Sequence, residues 1–184
     1  AISAGEAHVL VLFDDGTVKS EDEFGTLVER VPSHDTIVKH WRNVKQVAVG
    51  YSNVMGLTED GKVLYHRESK DPDIHFYENC SDVVQIDCFS CYYGDDYSAV
   101  LHGDGTVTSD TFPGVKEWKD IIQIAVGNGV IVGLKNNGTI EVIDKLLKYD
   151  KVREWTGVVS VECKFFSIVA ITEDGEILEE QLNI

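Results

Sequence analysis

Basic residues are scarce in this sequence. It contains 16 Lys and Arg against 32 Asp and Glu, which gives a formal net charge of −16 at pH 7. Because nucleic acids and anionic membranes are bound mainly through Lys and Arg, the deficit argues against both as partners. Only 3 prolines occur among 184 residues, of which 43% are hydrophobic, so we expect the chain to fold rather than stay disordered.

Long apolar runs and targeting signals are also missing. No stretch approaches the ~18 consecutive apolar residues that a membrane-spanning helix needs. No basic region followed by an apolar run, the mark of a signal peptide, is visible. Of the 4 cysteines, Cys88 and Cys91 have C-x-x-C spacing, but no second pair completes a zinc site. Free thiols and the lack of a visible signal favour the cytoplasm.

Catalytic and metal-binding motifs are absent as well. The sequence has no G-x-S-x-G elbow, H-E-x-x-H pair or phosphate loop, and its 6 histidines show no ligand spacing. The acidic turns at Asp15-Gly16, Asp60-Gly61 and Asp174-Gly175 are explained by turn chemistry, since calcium loops need more oxygen ligands in a fixed register. We therefore predict a protein that is not an enzyme and has no metal and no cofactor.

What the chain does contain is a five-fold repeat. Turns ending in glycine recur 45, 44, 33 and 37 residues apart, a spacing typical of propeller blades. A second glycine stands eleven residues before the turn glycine in four copies, and a tryptophan stands twenty residues before it in three. The turn glycines are Gly16, Gly61, Gly105, Gly138 and Gly175; the earlier glycines are Gly5, Gly50, Gly94 and Gly127; the tryptophans are Trp41, Trp118 and Trp155.

Each copy supplies short β-rich runs around its turn. In the most regular copy, Ile121–Val126 is followed by Val130–Leu134 and the turn Asn136-Asn137-Gly138, which strongly favours a β-hairpin. We predict an all-β fold: a β-propeller of about five repeats with three to four antiparallel strands each, five-bladed or an incomplete ring. The connecting pieces TLVERV or TIVKH, then DIHFY, then LLKYD are candidates for a fourth strand. Residues 1–184 are expected to form a single domain, with repeats at 1–40, 41–79, 80–115, 116–152 and 153–184.

The repeat resembles that of a known family. Ala4-Gly5, His8, Leu12 and Asp15-Gly16 follow the repeat pattern of the regulator of chromosome condensation family, and the tryptophan-led copies are most similar to its divergent bacterial members. The resemblance implies a β-propeller that acts through protein partners; family members include an exchange factor for a small GTPase and protein inhibitors of enzymes.

Several features depart from the family pattern. The Trp-Gly after the third strand is missing, and the repeat histidine is kept only as His8. No residues of a GTPase-engaging wedge can be matched, so the resemblance does not imply exchange activity. Family members usually close a ring of seven blades, whereas five units are found here, and association of chains is an alternative to a closed ring.

An insertion breaks the repeat in the third copy. The run Val83–Asp87 lies about five residues farther from its turn glycine than its counterparts do, which places extra residues in Cys88–Tyr97. Aromatic side chains with polar groups are enriched at binding hot spots, and insertions in repeat proteins often lie on the binding face. The alternative is a wide loop or β-bulge whose aromatics pack inward. The predicted binding residues are Phe89, Tyr92, Tyr93, Asp95, Asp96 and Tyr97.

Two functions are compatible with these features. The first is a non-enzymatic protein–protein interaction module that presents loops on a propeller scaffold. The second is a propeller that binds a carbohydrate or another small ligand through its tryptophans and the tyrosine-rich insertion. We expect the tryptophans to pack between blades, which favours the protein partner. The sequence does not identify that partner.

Overall fold

Fifteen β-strands make up most of the part of the chain that the structure describes. The computed structural model describes residues 1–5, 8–22, 37–67, 76–91, 95–145 and 149–181. Two 3₁₀ helices, Pro113–Glu117 and Asp150–Glu154, lie in connections between repeats. The strands are β1 Ile2–Ala4, β2 His8–Leu12, β3 Val18–Asp22, β4 Val44–Val49, β5 Asn53–Thr58, β6 Val63–Arg67, β7 Val83–Phe89, β8 Tyr97–His102, β9 Val107–Thr108, β10 Ile121–Gly127, β11 Val130–Lys135, β12 Ile140–Asp144, β13 Val158–Lys164, β14 Ser167–Thr172 and β15 Ile177–Gln181.

The strands form five separate antiparallel sheets of three consecutive strands each. Each sheet packs on the next along the chain, and the first strands of neighbouring sheets also contact one another, which places them innermost around a common axis. The predicted all-β propeller with five blades is therefore confirmed. Among the described residues, no comparable packing of strands joins the fifth blade to the first.

A fourth strand per blade is not found in the described residues. Most of TLVERV, DIHFY and LLKYD lies outside the described ranges, and the parts within them are not strands. The prediction of a strand at TIVKH is wrong for residues 37–40, which form a helical turn and a hydrogen-bonded turn. The described portion of the chain also has no helix long and apolar enough to cross a membrane.

One glutamine on the inner strand links each of three blades to the following blade. The Gln46 side chain donates to the Ile86 carbonyl at 3.0 Å and accepts from its N–H at 3.2 Å. Gln85 does the same to Ile124 at 2.9 and 2.8 Å, and Gln123 to Val161 at 3.0 and 3.1 Å. An inner strand has one edge unpaired within its own sheet, so the carboxamide supplies the hydrogen bonds that this edge lacks.

The turn glycines make a second link between blades. The carbonyl of Gly16 accepts the Val44 N–H at 3.0 Å, and the same bond recurs from Val83 to Gly61, Ile121 to Gly105 and Val158 to Gly138. These glycines have φ between 74° and 79°, a region that residues with a Cβ rarely adopt. The repeated glycine therefore both closes its hairpin and receives the next inner strand.

In the second and fourth blades, a tryptophan ring packs directly against a glycine of the middle strand. A Cβ added at Gly56 would stand 2.8 Å from ring carbons of Trp41, and one at Gly133 would stand 2.8 Å from Trp118. Both rings are buried, and Trp118 packs in a cluster with residues of the third blade. The expectation that these tryptophans pack between blades agrees with their positions. In the fifth blade Ala170 replaces the glycine, and Trp155 is only partly buried.

Replacing Gln123 with alanine is expected to lower the free energy of unfolding by about 2 kcal/mol. The change removes two hydrogen bonds to Val161 and leaves its N–H and carbonyl without these partners. Urea unfolding measures the effect. Gln181→Ala on exposed β15 is the control and should change stability little; equal losses in the two variants would contradict a linking role for Gln123.

Gly133→Ala is expected to destabilise the fold by about 1–3 kcal/mol, because the added methyl group meets the Trp118 ring. A matched change is Gly114→Ala, whose Cβ would meet the flexible end of Ile143 at 2.9 Å. Thermal unfolding should show a clearly larger decrease in Tm for Gly133→Ala. A smaller decrease than in Gly114→Ala would show that the tryptophan adjusts freely.

Candidate functional site

The predicted binding insertion lies between β7 and β8, the first two strands of the third blade. In antiparallel blades, all turns between first and second strands lie at one end of the propeller. This end, which we call the insertion face, comprises residues 50–52, 90–91, 95–96, 128–129 and 165–166. The hairpins with the turn glycines lie at the opposite end. Tyr92 and Tyr93 of the predicted site lie outside the described residues.

Asp96 is held by the second blade. Its carboxylate pairs with Arg67 Nε at 2.5 Å and accepts a hydrogen bond from the Ser52 hydroxyl. Burial opposes the charge on Arg67, but the carboxylate of Asp96 raises the pKa of the guanidinium above its ordinary value. Asp95 is exposed and accepts a 3.4 Å hydrogen bond from the Tyr97 hydroxyl. Of the two predicted carboxylates, Asp95 is therefore the accessible one.

A buried asparagine fixes both ends of the insertion. Asn53 stands at the histidine position of the second repeat and is fully buried. Its Nδ2 donates to the Tyr97 carbonyl at 3.3 Å, and its Oδ1 accepts from the Ser90 hydroxyl at 3.1 Å. Ser90 Oγ also accepts the Ser52 N–H at 2.9 Å. The extra residues of the third blade are thus attached to the turn of the second.

Tyr97 packs inward. Its ring is buried and stacks on Phe112 with centroids 5.4 Å apart, and Lys145 Nζ lies 4.7 Å from the Tyr97 ring centre. The distance and the charge are those of a cation–π contact. Tyr97 therefore follows the alternative prediction, in which the aromatic side chains of the insertion pack into the propeller.

Phe89 meets an aromatic residue that the sequence analysis missed. Its ring lies edge-to-face with that of Phe165 in the fifth blade, with centroids 5.4 Å apart and planes at 81°. Phe89 is partly buried and Phe165 is 44% exposed. Phe165 has φ of 42°, a conformation that is costly for a residue with a Cβ. The doublet Phe165-Phe166 in a hairpin turn was the sequence signal that could have identified it.

A carboxylate lies on the inner strand just before the insertion. Asp87 stands where the second and fourth blades have Ala48 and Ala125, and it accepts the N–H of Val126 at 2.7 Å and of Cys88 at 2.9 Å. Burial raises the pKa of Asp87 to about 7, and the negative charge of Glu162 adds to the effect. Burial also raises the pKa of Cys163 well above its ordinary value, with contributions from Asp87 and Glu162.

These groups do not form a metal site or a disulfide. Within the described ranges, no group of three or more His, Cys, Asp and Glu side chains is placed to hold a metal ion. All 4 cysteines are free thiols. Buried thiols with raised pKa values are poor nucleophiles, because the reactive form is the thiolate. Among the described residues, the chemistry of the site is therefore that of aromatic rings, one accessible carboxylate and the ion pair between Arg67 and Asp96.

Comparison with known proteins identifies the fold of the chain and does not identify a close relative. No protein-family model matches the sequence, and no curated protein matches it significantly. Yeast RCC1 (Prp20) bound to Kap60 superposes with a TM-score of 0.66 and 16% identity over 98% of this chain. Human WBSCR16 gives 0.65 and 15% over 98%, and the CRINKLY WD40 ectodomain of the Arabidopsis thaliana receptor kinase ACR4 gives 0.63 and 11% over 98%.

The chain has the fold of RCC1-like propellers. This confirms the resemblance found in the sequence at the level of the fold, and at these identities the likeness concerns the fold alone. The chain spans 55%, 61% and 62% of the length of the yeast, human and Arabidopsis chains, respectively.

Replacing Asp87 with asparagine is expected to change how stability depends on pH. Because its folded pKa is raised from 3.8 to about 7, Asp87 favours folding at low pH, and this contribution is lost as pH rises through that range. Urea unfolding at several pH values should therefore show that the variant becomes more stable than the wild type as the pH rises. At pH 8 its free energy of unfolding should be larger by about 1–2 kcal/mol. Asp104→Asn, in an exposed turn, should keep the wild-type slope near neutrality; an unchanged slope in Asp87→Asn would contradict the assignment.

Proposed function

We propose that the chain is a non-enzymatic protein-interaction module whose insertion face contacts a protein partner. The observation that carries the proposal is the Phe89–Phe165 pair, which brings aromatic surface from the third and fifth blades together at this face. Residues from separate blades meet there only because the propeller folds. The pair therefore forms a preorganised apolar surface, of the kind found at the centre of protein interfaces.

The surroundings of the pair suit a protein interface. Phe165 keeps 44% of its surface exposed in the two-residue turn between β13 and β14. Asp95 is exposed on the same face, and its neighbour Asp96 forms an ion pair with Arg67. An aromatic centre with charged groups at its edge is the usual anatomy of an interface between proteins.

Proteins with this fold provide precedent for protein partners. Yeast RCC1 (Prp20) was crystallised bound to Kap60, and binding of Prp20p to Gsp1p and histones has been described. Those partners belong to the yeast protein. For this chain they support the class of partner, a protein, and not its identity.

Several positions disfavour the alternative of a carbohydrate or small-ligand site. Stacking on a sugar needs an exposed aromatic face, but Trp41 and Trp118 are buried against glycines. The Tyr97 ring is covered by Phe112 and Lys145. Among the described residues of the insertion face, the most exposed ring is that of Phe165, which has no polar group to orient a sugar.

The test compares partner capture by three single variants. Phe165→Ala and Phe89→Ala should each reduce recovery of the partner by roughly tenfold or more, as expected for hot-spot residues. Phe13→Ala is the control, because Phe13 is 48% exposed but lies at the opposite end of the propeller. Affinity capture from a lysate with quantitative mass spectrometry measures recovery, and circular dichroism checks folding.

The outcomes separate the two functions. A protein recovered with the wild type and Phe13→Ala but lost with both other variants supports the proposal. Equal recovery of every protein by all variants would remove the insertion face as the site. Saturable binding to a glycan panel that Phe165→Ala abolishes would favour the ligand-binding alternative.

A further inference from the structure

The dipeptide Asn-Gly occurs twice in the sequence, at Asn128-Gly129 and at Asn137-Gly138. Both copies lie in turns of the fourth blade, the first between β10 and β11 on the insertion face and the second between β11 and β12 at the opposite end. Asn-Gly is the dipeptide most prone to deamidation, because glycine has no side chain to hinder attack of its nitrogen on the asparagine carboxamide. The two turns differ in how firmly the fold holds the reacting groups.

At Asn137 hydrogen bonds hold both reacting groups. The side-chain Oδ1 accepts the Thr139 N–H at 3.1 Å and the Thr139 hydroxyl at 2.7 Å. The Gly138 N–H, whose nitrogen would have to attack, donates to the Lys135 carbonyl at 3.0 Å. Deamidation at Asn137 therefore has to break these bonds first.

At Asn128 the equivalent groups are not held in this way. Within the described part of the chain, the partly exposed Asn128 side chain makes no hydrogen bond and the Gly129 N–H donates to no acceptor. The turn is fixed through groups that take no part in the reaction. The Asn128 N–H donates to the Phe165 carbonyl at 3.2 Å, and the Gly129 carbonyl accepts the Lys145 N–H at 2.9 Å.

The space around the two glycines differs in the same sense. A Cβ at Gly138 would stand 3.2 Å from the backbone of Gly157 and Val158, so this turn is packed against the fifth blade. Leaving out chain neighbours, a Cβ at Gly129 would meet nothing closer than the Tyr97 hydroxyl at 3.7 Å. The peptide group between Asn128 and Gly129 therefore has more room to turn toward the carboxamide.

We infer that Asn128 is a deamidation site and that its reaction places a carboxylate on the insertion face beside Phe165. The Gly129 nitrogen gives its proton to solvent and bonds to Asn128 Cγ. The Cγ–Nδ2 bond breaks, and the amide nitrogen takes a proton from solvent and leaves as ammonia, so that a cyclic succinimide remains. Water then opens the ring at either of its two carbonyl groups. The modification does not depend on the proposed protein partner.

Both products of ring opening change the insertion face. Aspartate and isoaspartate each carry a negative charge where Asn128 is neutral. In isoaspartate the main chain also runs through Cγ, which lengthens the two-residue turn between Gly127 and Val130. The N–H that bonds the Phe165 carbonyl belongs to this same residue.

The test follows both Asn-Gly bonds by peptide mass spectrometry while the full chain is incubated in mildly alkaline buffer, folded or unfolded in urea. Replacement of NH by oxygen identifies deamidation, and chromatography separates the aspartyl and isoaspartyl peptides. In urea the two sites should react at similar rates, because both are Asn-Gly. In the folded chain Asn128 should react roughly tenfold or more faster than Asn137, because three hydrogen bonds restrain the latter.

Matched variants assign the released ammonia to one site. Glutamine reacts far more slowly because it would have to form a larger ring, so Asn128→Gln should abolish most ammonia release from the folded chain. Asn137→Gln should leave it unchanged, and circular dichroism checks that both variants fold. Reaction of Asn137 as fast as Asn128 in the folded chain would overturn the inference. So would a folded chain in which Asn128 stays intact while the unfolded chain deamidates.

Discussion

The hydrogen bonds of a glutamine side chain hold neighbouring innermost strands of the propeller together at three of the four junctions between blades. An inner strand is the edge of its own sheet, so half of its peptide groups have no partner within the blade. Gln46, Gln85 and Gln123 each supply one donor and one acceptor to the facing peptide groups of the next inner strand. Because a carboxamide matches the peptide group in geometry, the same side chain serves these three junctions despite different packing around it.

These links set the position of the candidate site. The third inner strand is bonded to the fourth through Gln85 and Asp87, and the fourth to the fifth through Gln123. Phe89 stands at the end of the third inner strand, and Phe165 follows directly on the end of the fifth. Gly127 is the residue of the fourth blade at the position of Phe89, and a Cβ there would stand 3.1 Å from Cys163 and from Val130.

Polar contacts with the second blade hold the described ends of the insertion, residues 88–91 and 95–97. Asn53, Ser52 and Arg67 belong to the second blade, yet they bond Ser90, Asp96 and the Tyr97 backbone of the third. A loop attached in this way loses little further conformational freedom on binding, which suits a recognition surface. Asp87, by contrast, is a carboxylate whose charge burial disfavours, so it lowers stability near neutral pH.

The sequence by itself determined the repeat, its strands and its turns. Turn glycines, apolar alternation and tryptophan spacing are local signals, and each reports a backbone conformation or a packing partner within one blade. The tertiary structure alone decided which surfaces meet. The Phe89–Phe165 contact and the inward packing of Tyr97 depend on how blades rotate about a common axis. That rotation is set by junctions between residues about 40 positions apart, as with Gln46 and Ile86, and a repeat pattern carries no signal for it.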